Sequence, residues 1–149
     1  MTEELPIPIL LARGVCRTLA QRGYSTLTEF SLANGRRADV MGLGRGGELV
    51  IVEVKSSVQD FRSDGKWPEY REFCDRFYFA VPEAFPRDLI PEDCGLIVAD
   101  PFGAAILRES PGIAVLPARR KAITLRFALV GSDRLRRLLD PAAEVPDLI

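Results

Sequence analysis

Two carboxylates and an amine stand inside apolar, strand-like runs of this chain. Asp39 lies in Arg36-Arg37-Ala38-Asp39-Val40, and Glu53 and Lys55 lie in Ile51-Val52-Glu53-Val54-Lys55. A charge taken out of water without a partner is costly, so charges in such runs need a reason. Side chains alternate along a strand, which sends Glu53 and Lys55 to the face of Ile51 and sends Val52 and Val54 to the other. With the Gly44-Arg45-Gly46-Gly47 turn centred on Gly46, Asp39 falls directly across from Glu53, at about 5 Å between Cβ atoms. Like charges that close repel unless a cation or a proton lies between them. One divalent ion held by Asp39, Glu53 and a backbone carbonyl such as that of Val54 resolves the conflict. Such an ion polarises a phosphoryl oxygen and acidifies a bound water. Lys55 beside it would orient that water or offset charge building on phosphorus. These residue types at this spacing support phosphodiester hydrolysis.

Glu29 extends the set. A second turn at Asn34-Gly35 places it next to Asp39 on the same face, whereas a two-residue turn would shift the register by one and point it into the core.

The elements that position these residues are readable from patterning. Ile7, Leu10, Leu11, Val15 and Leu19 share one helical face over residues 7–22, and Gly23 follows where a helix would stop. Residues 25–32 alternate as a first strand, 36–43 form a second and 48–56 a third, joined by the two glycine turns. Residues 60–77 place Trp67, Tyr70, Phe73 and Cys74 at helix-like spacings, with Pro68 suited to a first helical turn. Strands are expected at 78–81 and 95–99, a strand or loop at 104–107, a loop with or without one helical turn at 82–93, and a final helix capped by Ser132 and running to Leu139. Residues 111–130 are ambiguous. No repeat or linker interrupts the 149 residues, which form a single domain over 1–149. The order predicts an α/β fold with a mixed sheet flanked by helices.

Composition narrows the chemistry. The chain has no histidine, which excludes Ser-His-Asp and Cys-His nucleophiles and histidine-ligated zinc. Carboxylate, carbonyl and water ligands select a hard cation, Mg²⁺ or Mn²⁺. Cys16, Cys74 and Cys94 form no CxxC pair and suit a reducing cytoplasm. The acidic start, Met1-Thr2-Glu3-Glu4, is unlike a basic export signal, and no apolar run approaches the roughly 20 residues that span a bilayer. A cytoplasmic location and no membrane partner are expected. The net charge of −1 gives no global attraction to nucleic acid. The arginines are nevertheless clustered, at Arg13, Arg17 and Arg22, at Arg36 and Arg37, and at Arg119-Arg120-Lys121, and a groove that follows phosphates needs only a local basic surface.

Asp39 followed by Glu53-x-Lys55 at the end of an apolar strand resembles the PD-(D/E)xK nuclease superfamily, although the Pro of that motif is absent before Asp39. Glu53-Val54-Lys55-Ser56-Ser57, Asp60-Phe61, Asp64, Lys66-Trp67, Tyr70 and Cys74-Asp75-Arg76-Phe77-Tyr78-Phe79-Ala80-Val81 are similar to the MmcB-like family of bacterial DNA repair nucleases. The similarity spans roughly residues 7 to 82. It implies a restriction-endonuclease-like core, DNA as partner, and a metal-dependent endonuclease in repair. The alternative is a non-catalytic nucleic-acid-binding module of the same fold that recruits repair proteins. In the first reading Asp39 and Glu53 are ligands and Lys55 the catalytic cation. Glu29 stands in for the acid that many relatives carry on the first helix, since residues 7–22 hold none. Lys66-x-x-x-Tyr70 stands where some relatives have Gln-x-x-x-Tyr, and helical spacing would put both on one face toward a DNA phosphate. Arg36 and Arg37 are further DNA contacts. A homodimer or a repair-protein partner would compensate for the low net charge.

Overall fold

Two glycine turns set the register of the sheet in the computed structural model, which describes residues 4–146. Met1, Thr2 and Glu3 of the acidic start lie outside the described residues. The Asn34-Gly35 turn folds β1 (Ser25–Ser31) antiparallel onto β2 (Arg37–Leu43), and the Gly44–Gly47 turn folds β2 onto β3 (Leu49–Val54). Gly35 and Gly47 take φ values of 85° and 91°, where a side chain would be strained. Leu27 pairs with Met41 and Met41 with Ile51, as the turn positions predict. β3 then pairs in parallel with β4 (Arg76–Val81), β4 in parallel with β5 (Gly95–Ala99), and β5 antiparallel with β6 (Ala104–Arg108). The result is a mixed six-stranded sheet in sequence order, flanked by helices.

Helix α1 (Ile7–Gln21) covers one face, laying Leu11, Val15 and Leu19 on Val40, Val50, Val52, Tyr78 and Ile97. The other face carries Phe30, Ile51, Phe77 and Phe79 under a 3-10 segment (Trp67–Phe73) and α3 (Pro117–Leu139). β3 is buried on both faces, which is why its sequence reads as a nearly unbroken apolar run. Among the described residues no helix is long and apolar enough to cross a membrane.

α1 approaches the β5–β6 turn so closely that a Cβ on Gly14 would lie 1.8 Å from the Asp100 carbonyl oxygen and 2.6 Å from that of Gly103. Thr18 Oγ1 fastens the same contact, donating to the Ala104 carbonyl at 3.1 Å and accepting its N–H at 2.9 Å. Gly14→Ala must push helix and turn apart and should cost roughly 2–3 kcal/mol. Urea denaturation measures it, and an unchanged midpoint would contradict the close approach.

Two expectations are corrected. Residues 58–73 form two short pieces, α2 (Val58–Ser63) and the 3-10 segment, because Asp64 and Gly65 break the helix before Pro68 restarts a turn. Ser132 does not cap a separate helix. It lies inside α3, which Ile123, Phe127 and Val130 hold on the sheet at helical spacing through Gly131.

Asp75 joins α3 to the sheet. Its carboxylate accepts N–H groups of Leu49 at 2.7 Å and Val115 at 3.0 Å, and both arms of Arg120 at 2.7 and 2.5 Å. Burial pushes this carboxyl up, but Arg120 and the two N–H groups prevail and hold it at about 2. Arg120, expected in a surface cluster, is thus committed to the fold.

Candidate active site

The β2–β3 ladder ends at Val40 and Val52. Beyond that pair, side chains replace main-chain partners. The Asp39 N–H donates to Glu53 Oε1 at 2.9 Å, and the Val54 N–H donates to Asp39 Oδ2 at 2.8 Å. Each carboxylate therefore terminates the opposite strand, and the two are turned toward each other. The chain continues onto β4 through the Lys55 N–H and the Ala80 carbonyl at 2.9 Å. Ser57 then caps α2, its Oγ accepting the Asp60 N–H at 3.1 Å while Asp60 Oδ2 accepts the Ser56 N–H at 3.3 Å. Asp64, at the other end of this short helix, accepts Lys55 Nζ at 2.7 Å, and Asp60 lies 4.0 Å from the same nitrogen.

Glu53 and Lys55 are 3% and 6% exposed, which makes their charges consequential. Burial, and then the neighbouring Asp39, pushes the Glu53 carboxyl up to about 9. Burial also raises Asp39, against the opposing pull of the Val54 N–H and Lys55. For Lys55, burial acts downward, but the hydrogen bond and charge of Asp64 outweigh it and keep the ammonium above its ordinary value. Burial acts upward on Asp64, and the Lys55 hydrogen bond more than reverses it. The amine thus keeps its charge, while burial opposes ionisation of both carboxyls of the Asp39–Glu53 pair.

A buried Glu53 and a half-buried Asp39 that converge, each with burial opposing its charge, fit a hard divalent cation. Asp39, Glu53 and the Val54 carbonyl are the groups that would hold it. Among the described residues no cluster of three or more His, Cys, Asp or Glu side chains suits a metal, so water and phosphate oxygens would complete the shell, as Mg²⁺ commonly allows. Because Glu53 must lose its proton to ligate, Mn²⁺ affinity should climb as pH rises toward 9, with about one proton released per ion at pH 7. Titration calorimetry in buffers of different ionisation heat measures this, and a pH-independent affinity would contradict it.

A cleft of about 660 Å³ opens over the pair and is lined by Arg36, Arg37, Asp39, Glu53, Val54, Lys55 and Tyr70 among others. It gathers most of the residues singled out from sequence, but not all. Glu29 stands across from Asp39 on β1, yet it is exposed and does not line this cleft. Its φ of 49° interrupts the strand alternation, so that Leu27 and Phe30 both reach the same core, and Arg134 holds its carbonyl at 3.0 Å. Glu29 and Asp39 instead share a second cleft, of about 430 Å³, against α1.

Lys66 is exposed and outside the first cleft as well. A 3-10 segment has three residues per turn, so positions four apart do not share a face, and the expected alignment of Lys66 with Tyr70 is not found. Tyr70 is buried, and its hydroxyl donates to the Arg37 carbonyl at 3.1 Å. Arg36 is tied to Glu69, while Arg37 stands exposed at the mouth. Trp67 stacks on Phe77 and belongs to the core. Asp64, which in the sequence stands only among the residues of the family resemblance, is the acid that engages Lys55, and no local pattern marks that pairing.

The family described as DNA repair protein MmcB-like matches residues 6–142. No curated protein matches the chain. Among solved structures, a protein of unknown function from Silicibacter pomeroyi superposes with a TM-score of 0.93 at 43% identity, over 96% of this chain and 98% of its own. A repair endonuclease from Pyrococcus abyssi gives a TM-score of 0.43 at 17% identity, over 67% of this chain and 49% of its own. A complex of EndoMS with double-stranded DNA gives 0.38 at 20% identity, over 68% and 48%. The overlap with these last two is too slight to bear on function.

Proposed function

The chain belongs to the MmcB-like DNA repair protein family, and from that premise we propose that it is a metal-dependent nuclease hydrolysing phosphodiester bonds in DNA. The observation that carries this reading is the pairing of buried Glu53 with half-buried Asp39, turned together by N–H groups of opposite strands. Mg²⁺ or Mn²⁺ on Asp39, Glu53 and the Val54 carbonyl would supply Lewis-acid polarisation of the scissile phosphate and a more acidic water. The Val54 N–H fixes Asp39, and the Asp39 N–H fixes Glu53, so both are oriented before anything binds. Lys55, kept charged by Asp64, is a stationary cation in the cleft for charge developing on the phosphate. Arg36 and Arg37 at the mouth would meet backbone phosphates. Tyr70 would act indirectly, by holding the Arg37 main chain in place.

The test is Mn²⁺-dependent cleavage of single-stranded, duplex and branched DNA, beside Asp39→Ala and Lys55→Ala. Cleavage by the wild type that both variants lose supports the proposal. No cleavage of any substrate, with DNA binding intact in the variants, would sink it. One observation favours the alternative of a DNA-binding module that recruits repair partners without cutting: Lys55 Nζ is already engaged by Asp64.

A further inference from the structure

On the sheet face away from α1, an apolar groove of about 500 Å³ runs between α3 and the end of β1. Phe30, Leu32, Phe73, Leu116 and Ile123 line it, with Arg119 and Arg126 at its edges. We propose that this groove docks an acidic, amphipathic helical segment of a protein partner.

Several observations specify that occupant. Arg126 Nε is buried without a hydrogen-bond partner, a lone case of its kind among the described residues. A buried N–H left unmade is destabilising, and the half-buried Arg126 side chain, which lines the groove, would gain a charge-assisted bond by turning its guanidinium to an incoming carboxylate. α3 carries seven Lys and Arg side chains against one acid, Asp133, in a chain whose net charge is −1. Asp75 and Glu72 pair with Arg120 and Arg119, and even so the helix keeps a basic excess, whose complement is an acidic surface.

The apolar lining extends outward. Leu116, Leu125 and Leu129 are 66%, 60% and 45% exposed, and Leu125 and Leu129 sit one helical turn apart. Anchors at that spacing are what a helix laid in a groove engages. A second copy of the chain would bring a helix of the same sign against α3. A DNA base would want a free aromatic face, but Arg119 already covers the Phe73 ring at 4.9 Å. Ser31 lines both this groove and the Asp39–Glu53 cleft, so a docked segment would sit beside the site.

Selection of phage-displayed random 16-residue peptides on the full chain tests the proposal. The expected enrichment is of net-acidic sequences with apolar residues three and four apart. Synthesised winners should bind at least tenfold more weakly to Arg126→Glu and to Leu116→Asp, both keeping the wild-type circular dichroism spectrum and a cooperative urea transition as evidence of folding. No enrichment, winners without acidic excess, or affinity untouched by both substitutions would overturn it. Two further results would also overturn it. One is a DNA oligonucleotide, and no peptide, that loses affinity with Arg126→Glu. The other is a dimer in sedimentation that Leu116→Asp dissociates.

Discussion

Glu53→Gln is expected to raise the melting temperature of the metal-free protein while it abolishes Mn²⁺ binding. The carboxyl ordinarily ionises near 4.5 and is held to about 9 in the fold. Between those values the unfolded chain has lost the proton and the folded chain keeps it, so the folded state binds more protons. Stability then falls as pH rises through that window, and the burden is greatest at its upper end. Gln is neutral at every pH, still accepts the Asp39 N–H, and sets an amide against the Asp39 carboxylate. At pH 8 the gain should be about 1–3 kcal/mol, or several degrees in melting temperature, shrinking toward zero near pH 4.5. Mn²⁺ should stabilise the wild type and leave the variant unmoved. Cleavage should drop by at least about a hundredfold. Thermal unfolding at two pH values with and without Mn²⁺ reads all of this except cleavage. A variant less stable than wild type at pH 8 would mean that Glu53 serves the fold rather than the site.

Asp75→Ala should have the largest effect on stability, about 3 kcal/mol or more. It removes the acceptor for two N–H groups and both arms of Arg120, and leaves that guanidinium facing an empty position. Arg120→Ala should cost less, and a double-mutant cycle should return a coupling of about 1–3 kcal/mol. The pH dependence has the opposite sign from that of Glu53. The Asp75 carboxyl lies below its ordinary value, at about 2, so its contribution is present above the unfolded value near 3.8 and is lost as pH falls toward 2. The gap between wild type and variant should close in acid. Urea denaturation at pH 7 and pH 2.5 measures it, and a loss under about 1 kcal/mol at pH 7 would refute the anchoring role.

The sheet was legible wherever a local rule decides the structure. Asn34-Gly35 and the Gly44–Gly47 turn fix register by backbone conformation, and register places Asp39 against Glu53. Alternation alone separates Glu53 from Val52 and Val54. What was hidden depends on partners distant in sequence or on backbone geometry without a sequence mark. Nothing about Glu29 announces a left-handed conformation, since glutamate is not a residue that favours it. Asp75 reads like any acid beside a cysteine, because its partners Leu49, Val115 and Arg120 arrive from elsewhere in the chain. The 3-10 turn that separates Lys66 from Tyr70 differs from an α-helix by half a residue per turn, which spacing of apolar groups does not resolve.

The handover at Val40 and Val52, from main-chain pairing to carboxylate pairing, makes the tip of this sheet a titratable joint. Elsewhere the strands are held by amide hydrogen bonds that no ordinary pH alters. Here the cohesion of two strands passes through carboxyl groups, which gain or lose a proton and in the proposed function would take up a cation. Whatever loads Asp39 and Glu53 also sets how firmly β2 and β3 are clasped. Occupancy of the proposed site would thereby be felt in the stiffness of the scaffold that bears it.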